Sequence, residues 1–223
     1  MIFNINILMK QIITIIFFLF SIVINAQYND WKPAEVFLQT GEVLIGRARL
    51  SMSMNRTEHP DEKRLTSFSI RVGNKEYLRF LEGNERRSTK FDTEEVKKVI
   101  FDLDYKKKEK RIKRKAIFIP IYKSLNKTKT GFAELIIDGK IKLAKKKISG
   151  AGVARNYTEE ILLIRENESA IPINYAYKLK SFKKRTIEYF YDCPSLISKI
   201  ESEELKKDDL ELIVNYYNDN CAK

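Results

Sequence analysis

Two cysteines, Cys193 in "YFYDCPSL" and Cys221 near the C-terminus, and one histidine, His59, are the residues whose types most directly suggest chemistry. A cysteine serves as nucleophile, metal ligand or half of a disulfide, and each role needs different company. A nucleophilic thiol needs a base, and the only histidine stands far along the chain in the polar run "SMSMNRTEHPDEKRLT". A zinc site needs four ligands, which neither cysteine has nearby in sequence. His59 beside Glu58 and Asp61 reads as a solvated loop residue. "GAGVAR", residues 150–155, looks like part of a phosphate loop, but it lacks the third glycine and no helical pattern follows, so it reads as a connector. "DLD" at 102–104 offers two carboxylates for a cation, with no further ligand at calcium-loop spacing. Sequons at Asn55, Asn126, Asn156 and Asn167 reflect a composition rich in Asn, Ser and Thr. These residues predict no catalytic, metal or cofactor site.

The compartment bears on the cysteines. Residues 11–24, "QIITIIFFLFSIVI", form an uncharged apolar run preceded by Lys10 and followed by "NAQ", with small Ala26 at the cleavage edge. That is the pattern of a secretory signal peptide, and the run is shorter than the roughly 20 residues of a spanning helix. The expectation is an exported chain (periplasmic, cell-surface or secreted) that begins near Gln27 or Tyr28 and has no transmembrane helix after cleavage; Met9 is an alternative start. Export favours disulfides, and two cysteines in one exported chain pair most economically with each other.

The surrounding elements agree. "SFKKRTIEYFY" spaces Phe182, Tyr189 and Phe190 on one helical stripe, with Ser181 as N-cap. "PSLISKIESEELKK" reads as a short helix with Pro194 in its first turn. "DDLELIVNYYND" places Leu210, Ile213, Val214 and Tyr217 on one face, with Asp208 and Asp209 at its positive end. Three helices running up, down and up bring the ends of the first and third together, and those ends carry Cys193 and Cys221. Upstream, the periodicity is that of strands. "VFLQTGEVLIGRARL" is a hairpin about Thr40 and Gly41, and "SFSIRVGNKEYLRFL" is another about Gly73 and Asn74. "KFDTEEVKKVIFDLD" predicts one helical turn capped by Asp92 and Glu95 before a strand resumes. "KAIFIPIYKSL" alternates, with Pro120 marking an edge strand or bulge. "GFAELIIDGKIKLAKKKI" turns at Asp138 and Gly139, and "EEILLIRENESAIPINYAY" turns at "ENES".

The chain carries 42 Lys and Arg against 30 Asp and Glu, a net charge of +12, of which Lys10 is lost with the leader. Nucleic acid is not expected to meet an exported protein; lipid head groups, lipopolysaccharide, acidic polysaccharide or an envelope protein are the partners such a charge suits. The candidate surface has three runs. The first is Lys106, Lys107, Lys108, Lys110, Arg111, Lys113, Arg114 and Lys115; the second is Lys145, Lys146 and Lys147; the third is Lys183, Lys184 and Arg185. Lysine on strand edges also discourages aggregation, which is the plainer explanation of such runs.

The chain resembles small exported proteins of unknown function found widely in Bacteroidetes. The likeness rests on the glycines at Gly41 and Gly46, on "IDGKIKL", and on the tail "YFYDCPSL … YYNDNC". The chain departs from the pattern in "LAKKK", where an aromatic "LY" is common, and in its long basic insert. The resemblance implies periplasmic or surface localisation and no catalytic residues. The whole reads as an α+β protein: a signal peptide at 1–26, an N-terminal β module at 28–124 forming a small bent sheet or partial barrel, further hairpins at 125–178, and a three-helix segment at 179–223. The expected function is a non-enzymatic interaction or structural module of the cell envelope, the alternative being a hydrolase or carbohydrate-active enzyme using carboxylates.

Overall fold

The computed structural model describes residues 31–51, 75–107, 110–123, 130–149, 157–174 and 181–222. Among the described residues ten strands form one antiparallel sheet: β1 (Lys32–Leu38), β2 (Val43–Leu50), β3 (Tyr77–Glu82), β4 (Thr89–Asp92), β5 (Val96–Lys107), β6 (Lys110–Tyr122), β7 (Thr130–Ile137), β8 (Ile141–Ser149), β9 (Tyr157–Arg165) and β10 (Ile171–Pro172). Helices α1 (Phe182–Tyr189), α2 (Pro194–Glu201) and α3 (Leu210–Asn220) follow, so the fold is α+β with a β-rich body and C-terminal helices. The strands run β10-β9-β8-β7-β6-β5-β1-β2-β3-β4 across the sheet. Only β5 leaves chain order, returning past the first meander to pair with β1.

Alternation decides which face each strand buries. Ala34, Val36 and Leu38 of β1 and Val99 and Phe101 of β5 point one way and are buried, while Glu35 and Phe37 point the other. A sheet this long with one apolar face gains most by curling over it. The residues preceding β3 reach back across four strands, and Lys75 bridges to Thr130 in parallel while the Glu76 N–H donates to the Thr130 carbonyl at 3.3 Å. That contact joins β3-β2-β1-β5-β6-β7 into a barrel closed at one point. Its interior is a single cluster that includes Ala48, Leu78, Phe80, Phe101, Phe118 and Phe132. Gly41 turns the β1–β2 hairpin at φ +92°, and Gly46 is required by packing, because a Cβ there would lie 2.3 Å from the Leu81 carbonyl oxygen.

β7 belongs to two layers. Its first half faces the closing segment, and its second half pairs with β8, from Glu134↔Lys145 to Ile137↔Leu143, with a bulge between Leu135 and Ile137. The sheet therefore branches near Phe132. Beyond the branch, Ile141, Leu143 and Leu163 of the β8–β9 wing pack against Phe190, Leu196, Ile200, Ile213, Val214 and Tyr217 of the helical tail. Ser181 caps α1, its Oγ accepting from the Lys184 N–H at 3.3 Å.

Two local expectations change. Thr93–Glu95 is a tight turn rather than a helical turn: Glu95 Oε2 accepts from the Asp92 N–H at 2.7 Å, but Val96, fully buried, already belongs to β5. Pro120 lies in an interior strand rather than an edge strand or bulge. The β5–β6 ladder ends at Phe118, and opposite Pro120 on β7 the Phe132 N–H and C=O point away from β6, so the missing proline N–H costs that pair nothing. The turn at Gly73 and Asn74, the strand before it, "GAGVAR" and His59 lie outside the described residues.

Candidate functional site

The cysteines are joined: Cys193 and Cys221, 28 positions apart, form a disulfide with Cα atoms 5.7 Å apart. Cys193 is 1% exposed, and neither sulfur carries a thiolate to attack a substrate or bind a metal. The rest of "YFYDCPSL" is occupied in structure as well. Asp192 receives both terminal nitrogens of Arg165, at 3.0 and 3.1 Å, and the Tyr217 hydroxyl at 2.7 Å; Arg165 also donates to the Tyr189 carbonyl and lies over the Tyr189 and Tyr217 rings. Burial works against the Asp192 carboxylate, but these hydrogen bonds hold its pKa below the usual range. The end of β9 is thereby tied to both α1 and α3.

The most unusual chemistry lies at the branch of the sheet. Where β7 parts from β8, side chains replace the ladder: Glu76 Oε2 accepts from the Phe132 N–H at 2.9 Å, and Lys146 Nζ donates to the Phe132 carbonyl at 3.3 Å. Glu76 Oε1 also takes Lys146 Nζ at 2.5 Å and Lys123 Nζ at 3.1 Å. Glu160, fully buried, stands opposite Lys146 on β9. The cluster is buried, with Glu76 3%, Lys123 0% and Lys146 5% exposed. Burial alone would raise the Glu76 pKa; Lys146 and Lys123, with the Phe132 N–H, reverse this and lower it. Burial draws Lys123 below the usual lysine value, the attraction of Glu76 offsetting only part of that. Gly131 makes room for the carboxylate, since a Cβ there would fall 2.6 Å from Glu76 Oε2. This arrangement holds a seam closed and leaves neither carboxylate in reach of a substrate.

The basic runs separate. Lys146 is a correction, being buried against Glu76 rather than displayed, and Arg185, 7% exposed, leaves the surface likewise. Lys145 reaches toward Glu211 at 3.9 Å and Lys147 is exposed on β8. Lys183 donates to the Glu201 carbonyl at 2.7 Å and pairs with Glu203; with Lys184 it lines a shallow groove between α1 and α2 that also includes Ile187 and Glu188. The first run behaves differently. β1 pairs with β5 only as far as Phe101, and the β6–β7 ladder starts at Phe118, yet the β5–β6 ladder continues to Lys107↔Lys110. Residues 102–107 and 110–115 thus pair as a two-stranded arm that no third strand joins among the described residues. On it Lys106 stands opposite Arg111, and Lys107 opposite Lys110; Lys108 lies outside the described residues. Arg111 is held by Asp104 at 2.7 and 2.8 Å, Arg114 pairs with Glu134, and Lys115 reaches Glu35 at 3.2 Å. Lys110 and Lys113 are exposed.

Among the described residues no group of three or more His, Cys, Asp and Glu side chains is placed to hold a metal ion, and no helix is long and apolar enough to cross a membrane. Compared with protein-family models, curated proteins and solved structures, the chain matches none.

Proposed function

We propose that the protein is an exported, non-enzymatic module of the cell envelope that engages anionic partners through its basic hairpin arm. The observation that carries this reading is the extension of the β5–β6 ladder past the β1–β5 and β6–β7 ladders, through 102–107 and 110–115, in a stretch whose sequence from 106 to 115 has eight cationic residues in ten. Charge concentrated on a protrusion meets a flat or polymeric anion more easily than the same charge spread over a globule. The rest of the molecule supports the arm as the contact. The tail, residues 181–223, carries nine acidic and seven basic side chains, leaving 35 of the 42 Lys and Arg and 21 of the 30 Asp and Glu upstream. The partner chemistry is phosphate or carboxylate, presented by lipid head groups, lipopolysaccharide or acidic polysaccharide. The alternative, a carboxylate hydrolase, needs two carboxyl groups facing each other about 5–10 Å apart across an open cleft. The deeply buried Glu76 and Glu160 favour the non-enzymatic reading. Export rests on the apolar run at 11–24 and on the disulfide.

The test uses protein recovered from the exported fraction, whose intact mass is expected to begin at Gln27. At low salt it is expected to bind an acidic polysaccharide, and to release it toward 1 M salt as the Debye length falls from about 10 to about 3 Å. Lys110→Gln with Lys113→Gln is expected to weaken binding by about 2 kcal/mol, roughly thirtyfold. Absence of binding to any polyanion at low ionic strength sinks the reading.

A further inference from the structure

We infer that the outer face of the barrel beside the arm is a bilayer-contacting surface, on which Ile45 and Val43 enter the lipid interface while the surrounding cations hold anionic head groups. The inference rests on the anionic-partner reading above and narrows it to lipid.

Ile45 is 74% exposed and Val43 46% exposed. They are two residues apart on β2, so both project from the same side, away from the barrel core. The register extends the apolar surface sideways. Ile45 lies opposite Glu35 of β1, Glu35 opposite Ile100 of β5, and Ile100 opposite Ile117 of β6. Val43 lies opposite Phe37, and Phe37 opposite Lys98. The one acid in these rows is neutralised, since Lys115 Nζ stands 3.2 Å from Glu35. Lys98 covers the Phe37 ring, its Nζ 4.6 Å from the centroid, and Arg47 continues the outer row of β2 beyond Ile45. The result is a small aliphatic strip bordered by Lys98, Lys115 and Arg47, with one exposed acid, Asp102, next on the outer row of β5 and opposite Lys115, leading into the basic arm.

Charge complementarity chooses the occupant. A soluble polyanion satisfies the rim but gains nothing from Ile45 and Val43. A second copy packed face to face sets the same cations against each other. An anionic bilayer satisfies both, because burying aliphatic carbon in the interface and attracting cations to head groups are the two contributions that hold a peripheral protein.

The experiment compares wild type, Ile45→Ser, Ile45→Trp and Lys110→Glu with Lys113→Glu on two probes: vesicles of equal parts phosphatidylglycerol and phosphatidylcholine, and dextran sulfate. An unchanged thermal midpoint verifies folding, which the exposure of position 45 favours. Ile45→Ser is expected to lower vesicle affinity about tenfold or more while leaving dextran sulfate binding unchanged. The doubly reversed arm is expected to weaken both. Ile45→Trp is expected to show blue-shifted fluorescence on adding vesicles, beyond any change from Trp31 in wild type. Equal vesicle affinity for wild type and Ile45→Ser, or no blue shift in Ile45→Trp, overturns the inference. Dextran sulfate binding without vesicle binding overturns it too and leaves the broader reading intact. Failure of both probes removes both.

Discussion

Glu76 shows how much a single side chain can organise. Its carboxylate meets a backbone N–H and two lysine Nζ groups at the point where the sheet divides, so its removal would take from Lys123 and Lys146 the carboxylate they share and leave both in the interior with Glu160. Taking one partner from a buried ionic cluster costs about 3–5 kcal/mol, because the others keep their desolvation penalty. Glu76→Ala is therefore expected to lower stability by that amount in urea unfolding, and a loss below about 1 kcal/mol would show that the seam is not held this way. Acid should act on the same group. A carboxylate whose folded-state pKa lies below its unfolded value contributes fully above the unfolded value, about 4.5, and loses that contribution as the pH falls through the folded value. Wild type should accordingly lose stability below about pH 4.5 by a component that Glu76→Gln lacks. None of this is legible in "NKEYLRF", since the partners stand 47, 56 and 70 residues away. One signal was available. In "KIKLAKKKIS" the strand alternation puts Lys146 on the face of Ala144 and Ile148, both buried, so parity singles out the middle lysine of the run.

At the scale of elements, what could be read in the sequence was local. The helices announce themselves through caps, Pro194 and a 3.6-residue stripe, and most of the hairpins through turn residues and alternation. Pro120 and the turn at 93–95 depart from the local pattern because their surroundings are set by strands distant in sequence. Closure of the barrel was open for the same reason: it is a contact between Lys75 and Thr130, and no period in the chain encodes it. The disulfide was legible because it joins two helix ends whose relative position short turns dictate. By closing a loop of 28 positions in the unfolded chain it contributes about 3–4 kcal/mol in the chain-entropy account. Cys193→Ala with Cys221→Ala, or full reduction, is expected to cost about that much in denaturant midpoints. An unchanged midpoint would mean that the packing of Phe190, Leu196, Ile213 and Tyr217 suffices to hold the tail.

The described residues are polarised in charge and in construction. An acidic helical tail covers one face of the wing, a basic arm extends from the barrel, and the two are built on different stretches of one sheet. A feature that extends past its neighbours can be removed with little loss of packing, because few core contacts depend on it. Leu103 is the last arm residue on β5 to pack against the barrel cluster, and Tyr105 pairs with Ile112 two positions further out. Joining Tyr105 to Ile112 through Asn-Gly, in place of Lys106–Arg111, offers a two-residue turn whose twist suits a hairpin. The change removes five basic side chains and one acid. Stability is expected to shift by less than about 1 kcal/mol, as for substitutions away from packed features. Anion binding is expected to fall by more than about a hundredfold at low salt, at about 1 kcal/mol for each net charge lost. A shortened protein that binds as before would move the contact to the barrel face or the wing. One that no longer folds would make the arm part of the barrel's structure rather than an instrument of binding.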